Sequence, residues 1–354
     1  MSSRKLRAIK KIIQRTDLSK DLVPFALNLV KNIAGNYRKD ASRDIPHPVT
    51  ISLELTNKCN LHCVMCPREH DFGKQMDVGN MSTELAKKLI DESVVYLQSM
   101  GLTGLGETLF ARNLVEVAAY AKKRKKSLAI FISSNANMPD FIERLTPVLP
   151  YIDTLQISTD GVGEGYEEIR KNGSFALLDK NLHAAVPLAR EHGVDIMFNM
   201  VINKRNFRQM ADVIDYAGQL GVKFVNFNYI NLASVTALPV EYYDFFTTAG
   251  FRQELDRAKA TAAKRKEIEV TGLDFPGNPG ISKCPLIWGD FQINFDGEVP
   301  PCCAKPFSKE YSFGNASEKP LMEVLNSARA KAFRGSAIRG IAPDFCAKCH
   351  FVKL

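Results

Sequence analysis

The chain has 354 residues, of which 45% are hydrophobic and 24% charged; that balance excludes a wholly disordered or collagen-like protein and fits more than one packed unit. No run approaches the roughly 18 apolar residues of a membrane span, and the start lacks the apolar core of a secretory signal, so a soluble, cytoplasmic protein is expected. Residues 1–48 hold eleven Lys/Arg against four Asp, +7 of the net +8, and the near-neutral remainder excludes nucleic-acid binding by the whole protein.

In chain order, the basic extension at 1–48 comes first, with Leu6, Ile9, Ile12 and Ile13 at roughly helical spacing. Such a helix would lie on an anionic membrane surface or dock an acidic partner. A helix packed on the body with a solvated Lys/Arg face fits the same periodicity. The alternating run at 49–55 reads as a strand. Then follow a helix at 81–98, a strand at 99–103, a helix at 114–124, a strand at 127–133 and a helix at 140–149. A strand at 154–158, a helix at 175–192, a strand at 195–201, a helix at 207–220 and a strand at 223–228 continue the rhythm. Six βα units imply a parallel sheet. They divide the chain into the extension (1–48), an α/β body (49–231), a helical bridge (232–280) and a C-terminal unit (281–354).

The eight cysteines fall into two groups separated by 217 residues without one. In a reducing compartment that distribution points to two metal centres. Cys59, Cys63 and Cys66 form a C-x3-C-x2-C loop directly after the first strand. Three thiolates suit three corners of an iron–sulfur cubane and leave one iron open for chemistry. A zinc site completed by His62 is the competing reading. In the C-terminal unit, Asp296-Gly297 between apolar residues signals a hairpin, expected to set Cys284 and Cys302 near the open ends of two paired strands. A helical stretch at 321–334 leads to Cys346 and Cys349, so four thiolates can complete a shell on their own.

The segment from Glu54 to Pro67 resembles the cluster loop of the radical S-adenosylmethionine (SAM) superfamily. The resemblance implies a partial (β/α)6 barrel and a [4Fe-4S] cluster on Cys59, Cys63 and Cys66. It also implies SAM on the fourth iron, cleaved to a 5′-deoxyadenosyl radical with an electron from a flavodoxin- or ferredoxin-type reductant. Met65 stands where the family commonly has an aromatic residue against adenine. Gly104, Gly106 and Glu107 match the family's Gly-Gly-Glu-Pro element, whose glycines let the backbone approach the methionine amine. Ser134 and Asn135 lie in a turn like its Thr-Asn-Gly. Ser158 and Asp160 resemble its ribose-binding Ser-x-Asp-Gly, and Arg170 its downstream arginine, implied to pair the methionine carboxylate. Asn199 and Asn228 are further candidates to line the site.

Residues 281–354 resemble the twitch domain, the short relative of the SPASM domain, which implies one auxiliary [4Fe-4S] cluster on Cys284, Cys302, Cys346 and Cys349. That pattern resembles the 2-deoxy-scyllo-inosamine dehydrogenase-like enzymes. The implied activity is oxidation of a secondary alcohol on a sugar or cyclitol-like substrate, with the auxiliary cluster accepting an electron. A radical epimerase or a peptide-modifying enzyme is the alternative, with Cys303 as a catalytic hydrogen donor. Cys303 could also replace Cys302 as a ligand or simply fill space. An electron carrier or a zinc-stabilised binding protein would carry the cysteines without radical chemistry. Tyr242, Tyr243, Phe245 and Phe246 suit either a substrate loop or a core.

Overall fold

Alternation along each strand sorts its residues into a face that helices cover and a face left partly open. The computed structural model describes residues 22–38, 43–74, 76–233, 235, 237–274, 280–284, 286–303 and 309–353. Eight strands form one sheet, and every neighbouring pair is parallel. They are β1 (Thr50–Leu53), β2 (Ser99–Leu102), β3 (Ala129–Ser134), β4 (Thr154–Ser158), β5 (Asp195–Ile202), β6 (Phe224–Tyr229), β7 (Glu269–Thr271) and β8 (Asp290–Ile293). Their order is β8-β1-β2-β3-β4-β5-β6-β7, so β8 returns to flank β1 and the sheet is open between β8 and β7.

Among the helices are α1 (Leu22–Arg38), α2 (Thr83–Ser93), α3 (Leu114–Arg124), α4 (Phe141–Leu145), α5 (Phe175–Glu191), α6 (Met210–Leu220), α7 (Ala249–Lys264) and α8 (Ala328–Ile338). Ile51, Leu53, Ile130, Ile132, Leu155 and Ile157 of the strands share one buried core with Leu89, Val117, Leu182 and Val213 of the helices. Each such side chain contributes roughly 1.5–3 kcal/mol when taken from water. The alternate residues Ser52, Ser133, Gln156, Ser158, Asn199 and Asn226 are only half-buried. Ser158, Asn199 and Asn226 stand side by side across three strands. A polar lumen therefore lines the open face of the sheet.

The six expected strands are present, and two more join them. β7 lies in the segment expected to be a helical bridge, where three residues are too few to show alternation. β8 corrects the expected hairpin. The turn exists, with Gly297 at φ 89° and its N–H donating to Asn294 O at 2.9 Å. Its first arm, however, pairs with β1 of the body, and Phe291, Gln292 and Ile293 are all buried there, covered on both faces. After the turn, Val299 pairs instead with Phe313 and Gly314. Two expected helices are also shorter. The one at 81–98 stops at Ser93, whose Oγ donates to Leu89 O at 2.6 Å, just before two β-branched valines. The one at 321–334 breaks at Asn326-Ser327, where the Ser327 Oγ caps Ala330 N. Leu6, Ile9, Ile12 and Ile13 lie outside the described residues.

Candidate active site

The cysteine loop leaves the C-terminal end of β1 and is pinned on two sides. His62–Cys63 pairs antiparallel with Arg170–Lys171, and Val64 N donates to Ile169 O at 2.9 Å. On the other side, Lys58 O accepts from Glu107 N at 2.8 Å. Side-chain donors reach two of the sulfurs: Asn135 Nδ2 lies 3.7 Å from Cys59 Sγ, and Arg170 Nη1 lies 3.7 Å from Cys63 Sγ. Burial pushes all three thiols up, Cys63 to about 11 and Cys66 to about 12. Thiols held so far above neutrality become thiolates only against a cation, which is the condition a metal site imposes. His62 does not complete the set; it is exposed, with Nδ1 3.0 Å from Glu69 Oε2.

The glycine loop after β2 presses on this cysteine loop. A Cβ on Gly106 would come within 2.4 Å of Thr56 O and 2.7 Å of Lys58 O, both backbone atoms that cannot yield. A Cβ on Gly104 would meet the Glu54 side chain at 2.3 Å. Both glycines thus make room for atoms of the chain itself. Glu107 is fully buried and its carboxylate accepts from Asn135 N at 2.7 Å and Leu109 N at 3.2 Å. Burial raises its pKa, and these N–H donors work against that rise. In the turn after β3, the Ser134 Oγ accepts from Ala136 N at 3.0 Å, and Ala136 takes φ 50°, a left-handed conformation where the related turn carries glycine. Asn135 also donates to Asn60 Oδ1 at 2.9 Å. Glu107, Ser134 and Asn135 therefore act together, clamping the cysteine loop.

Asp160 and Arg170 meet as an ion pair. Asp160 is fully buried; Oδ1 accepts from Val201 N at 2.7 Å, and Oδ2 lies 2.6 Å from Arg170 Nη2. Oδ1 is thus held by a backbone N–H and Oδ2 by the guanidinium. Burial works against the Arg170 charge, but Asp160 and Cys63 outweigh it and hold the guanidinium charged. Ser158, half-buried, faces the lumen row beside Asn199. The Asn199 Oδ1 accepts from Asn226 and Asn228, each at 2.8 Å.

The second cysteine group also converges. Cys284, Cys346 and Cys349 are buried in one cluster with Ile281 and Ile287, and Cys302 packs against it. Cys303, its neighbour in sequence, is exposed. Of the two adjacent cysteines, Cys302 is the one that packs against the buried thiols.

The radical SAM superfamily matches residues 53–227, and the SPASM iron–sulfur cluster-binding domain matches residues 284–350. Residues 53–227 belong to the radical SAM superfamily. The "Fe-coproporphyrin III synthase" of Methanosarcina barkeri is 27% identical over 84% of this chain and 79% of its own length. The "antilisterial bacteriocin subtilosin biosynthesis protein AlbA" of Bacillus subtilis is 26% identical over 87% of this chain and 68% of its own length. Among solved structures, Streptococcus suis SuiB bound to S-adenosylmethionine superimposes with a TM-score of 0.63 at 16% identity, covering 99% of this chain and 82% of that one. BtrN with AdoMet and 2-DOIA reaches only 0.46, too loose a likeness to carry the dehydrogenase reading.

A radical SAM domain binds a [4Fe-4S] cluster and S-adenosylmethionine, and a SPASM domain binds auxiliary iron–sulfur clusters. The residues fit both. Cys59 and Cys66 each have a backbone N–H aimed at the sulfur, from Leu61 and Arg68, and in the C-terminal unit Cys302 packs against the buried cluster that holds Cys284, Cys346 and Cys349. Sequence reasoning missed three participants. Glu54 accepts from Leu105 N at 2.7 Å and Phe295 N at 3.4 Å, joining the glycine loop to the C-terminal unit; burial raises its pKa to about 7. Arg68 has Nε and Nη1 buried without a partner and lies near enough to Glu54, Cys59 and Cys66 to influence all three. Asn231, two residues past β6, donates to Cys349 Sγ at 3.6 Å. Arg68 carried a readable signal, as a cation two residues after a cysteine ligand. The other two depend on contacts between distant segments.

Proposed function

We propose that this radical SAM enzyme modifies a peptide substrate, and that the polar lumen receives an extended segment of it through the open side of the sheet. The observation that carries this reading is the placement of both cysteine groups at one end of that lumen. Cys59, Cys63 and Cys66 follow β1, while Asn231, just past the same end of β6, holds Cys349. When bound, the cluster and S-adenosylmethionine supply a radical that abstracts hydrogen from substrate. The chain's own residues do the rest. Asn135 and Arg170 orient two ligand sulfurs, Asn199 presents the amides of Asn226 and Asn228 toward the lumen, and Arg68 holds two unpartnered guanidinium nitrogens, Nε and Nη1, for a carboxylate. Tyr243 keeps the two units in register, accepting from Leu232 N at 2.8 Å and donating to Lys348 O at 2.9 Å. With Phe245, Phe246 and Phe251 it forms a buried aromatic cluster, so most of this segment is core and not a substrate pocket.

AlbA and the PqqA peptide cyclase of Ruegeria pomeroyi, 23% identical over 82% of its length, support peptide modification over oxidation of a sugar alcohol. The match to the Methanosarcina protein and the two buried, unpartnered guanidinium nitrogens of Arg68 favour a second reading, a carboxylated tetrapyrrole. The deciding experiment gives the anaerobically reconstituted protein reductant and S-adenosylmethionine together with either short peptides encoded near its gene or iron coproporphyrin. The peptide reading expects 5′-deoxyadenosine to form with a mass change in one peptide. A mass change confined to the tetrapyrrole would replace it with the second reading.

A further inference from the structure

Four of the six large hydrophobic side chains exposed among the described residues belong to one helix, α1: Val23, Leu27, Leu29 and Val30. Val23, Leu27 and Val30 recur at i, i+4 and i+7, so they form one outward stripe, at 66%, 58% and 63% exposure. The opposite side of the helix is fastened. Asn28, 4% exposed, donates to His47 O at 2.9 Å, and Asn32 donates to the same oxygen at 3.0 Å. Beside the helix lies a second, independent feature. The Lys125 ammonium sits 4.6 Å from the centre of the Phe25 ring, which brings the run Lys122-Lys123-Arg124-Lys125-Lys126 to the foot of α1. Lys122 pairs with Asp153 and Arg124 with Asp91. Lys123 and Lys126 are exposed, with no acidic partner among the described residues.

We propose that α1 and the basic end of α3 form a docking face for an anionic lipid bilayer. An aliphatic stripe on a single convex helix, edged by lysines, suits a flat, deformable, negatively charged surface. Protein interfaces instead centre on aromatic and arginine anchors seated in pockets, and lysine is depleted there. The sequence adds charge of the same sign, since residues 1–48 carry +7 of the net +8. The placement is compatible with catalysis. His47 precedes β1, and Lys125 donates to Val95 O and Leu97 O just before β2. The docking face is therefore at the N-terminal ends of the strands, opposite the cysteine loop, and a docked enzyme keeps its mouth toward solution.

The test is flotation of the full chain with vesicles of phosphatidylcholine alone or mixed with phosphatidylglycerol, at low and high salt. The chain is expected to float with the anionic vesicles only, and less so in high salt. Lys123→Ala/Lys126→Ala should weaken partitioning roughly thirtyfold, at about a factor of five per lysine. Leu27→Glu/Val30→Glu should weaken it by roughly tenfold or more. All four side chains are exposed, so circular dichroism and iron content stay at parental values and separate a lost surface from a lost fold. No flotation with anionic vesicles would overturn the proposal in favour of an acidic protein partner. Undiminished flotation of both double variants would overturn it too, assigning any membrane affinity to other parts of the chain.

Discussion

The Arg170 guanidinium bridges Asp160 and Cys63, with Nη2 2.6 Å from the carboxylate and Nη1 3.7 Å from the sulfur. One arginine thereby ties the end of the fourth strand to the cysteine loop that leaves the first. Removing one partner of such a pair leaves a buried charge uncompensated, at a cost of roughly 3–5 kcal/mol. Arg170→Ala is expected to lower the stability of the metal-free protein by that amount in urea unfolding and to reduce iron uptake at the first centre. Arg170→Lys keeps the charge without the fork and should fall between. A parental urea midpoint for Arg170→Ala would refute this account.

Gly106 gives a sharper test of the contact between the two loops. The added methyl of Gly106→Ala would meet backbone oxygens of Thr56 and Lys58, so the cysteine loop must shift. The expected result is loss of about half the reconstituted iron, with the auxiliary centre retained and S-adenosylmethionine cleavage abolished. Full iron content with normal cleavage would show that the loop adjusts at no cost.

Glu54 makes stability depend on pH. Its folded pKa of about 7 lies above the ordinary 4.5, with burial as the main cause. The folded state thus binds the proton more tightly, so the contribution is fully present below about pH 4.5 and is lost as pH rises through about 7. Glu54→Gln should flatten the decline in stability of the metal-free protein between those limits, where the wild type loses on the order of 3 kcal/mol. Parallel pH profiles for the two proteins would show that Glu54 does not set the slope.

The adjacent cysteines are separable. Cys302 packs with the three buried thiols while Cys303 is exposed. Cys302→Ser should cost one cluster's worth of iron and sulfide, and Cys303→Ser none. If Cys303→Ser kept its iron but lost turnover, the hydrogen-donor role would be supported; if it lost iron, Cys303 would replace Cys302 as the ligand.

Much of this was legible in the sequence because it depends on local pattern. The C-x3-C-x2-C loop, the glycines before Glu107 and the alternation of strands such as 154–158 reflect spacing along the chain, and the parallel α/β body follows from their rhythm. Tertiary structure decided what distant segments do to each other. β8 returns to pair with β1, and its residues are buried on both faces, so no alternation marks it in the sequence. Asp160 binds Arg170, and Glu54 reaches Phe295 across 241 positions. Whether a carboxylate is a ligand or an internal clamp depends on which donors surround it. The choice between Cys302 and Cys303 likewise rests on burial, a property of the packed molecule that adjacent, chemically identical residues cannot express in sequence.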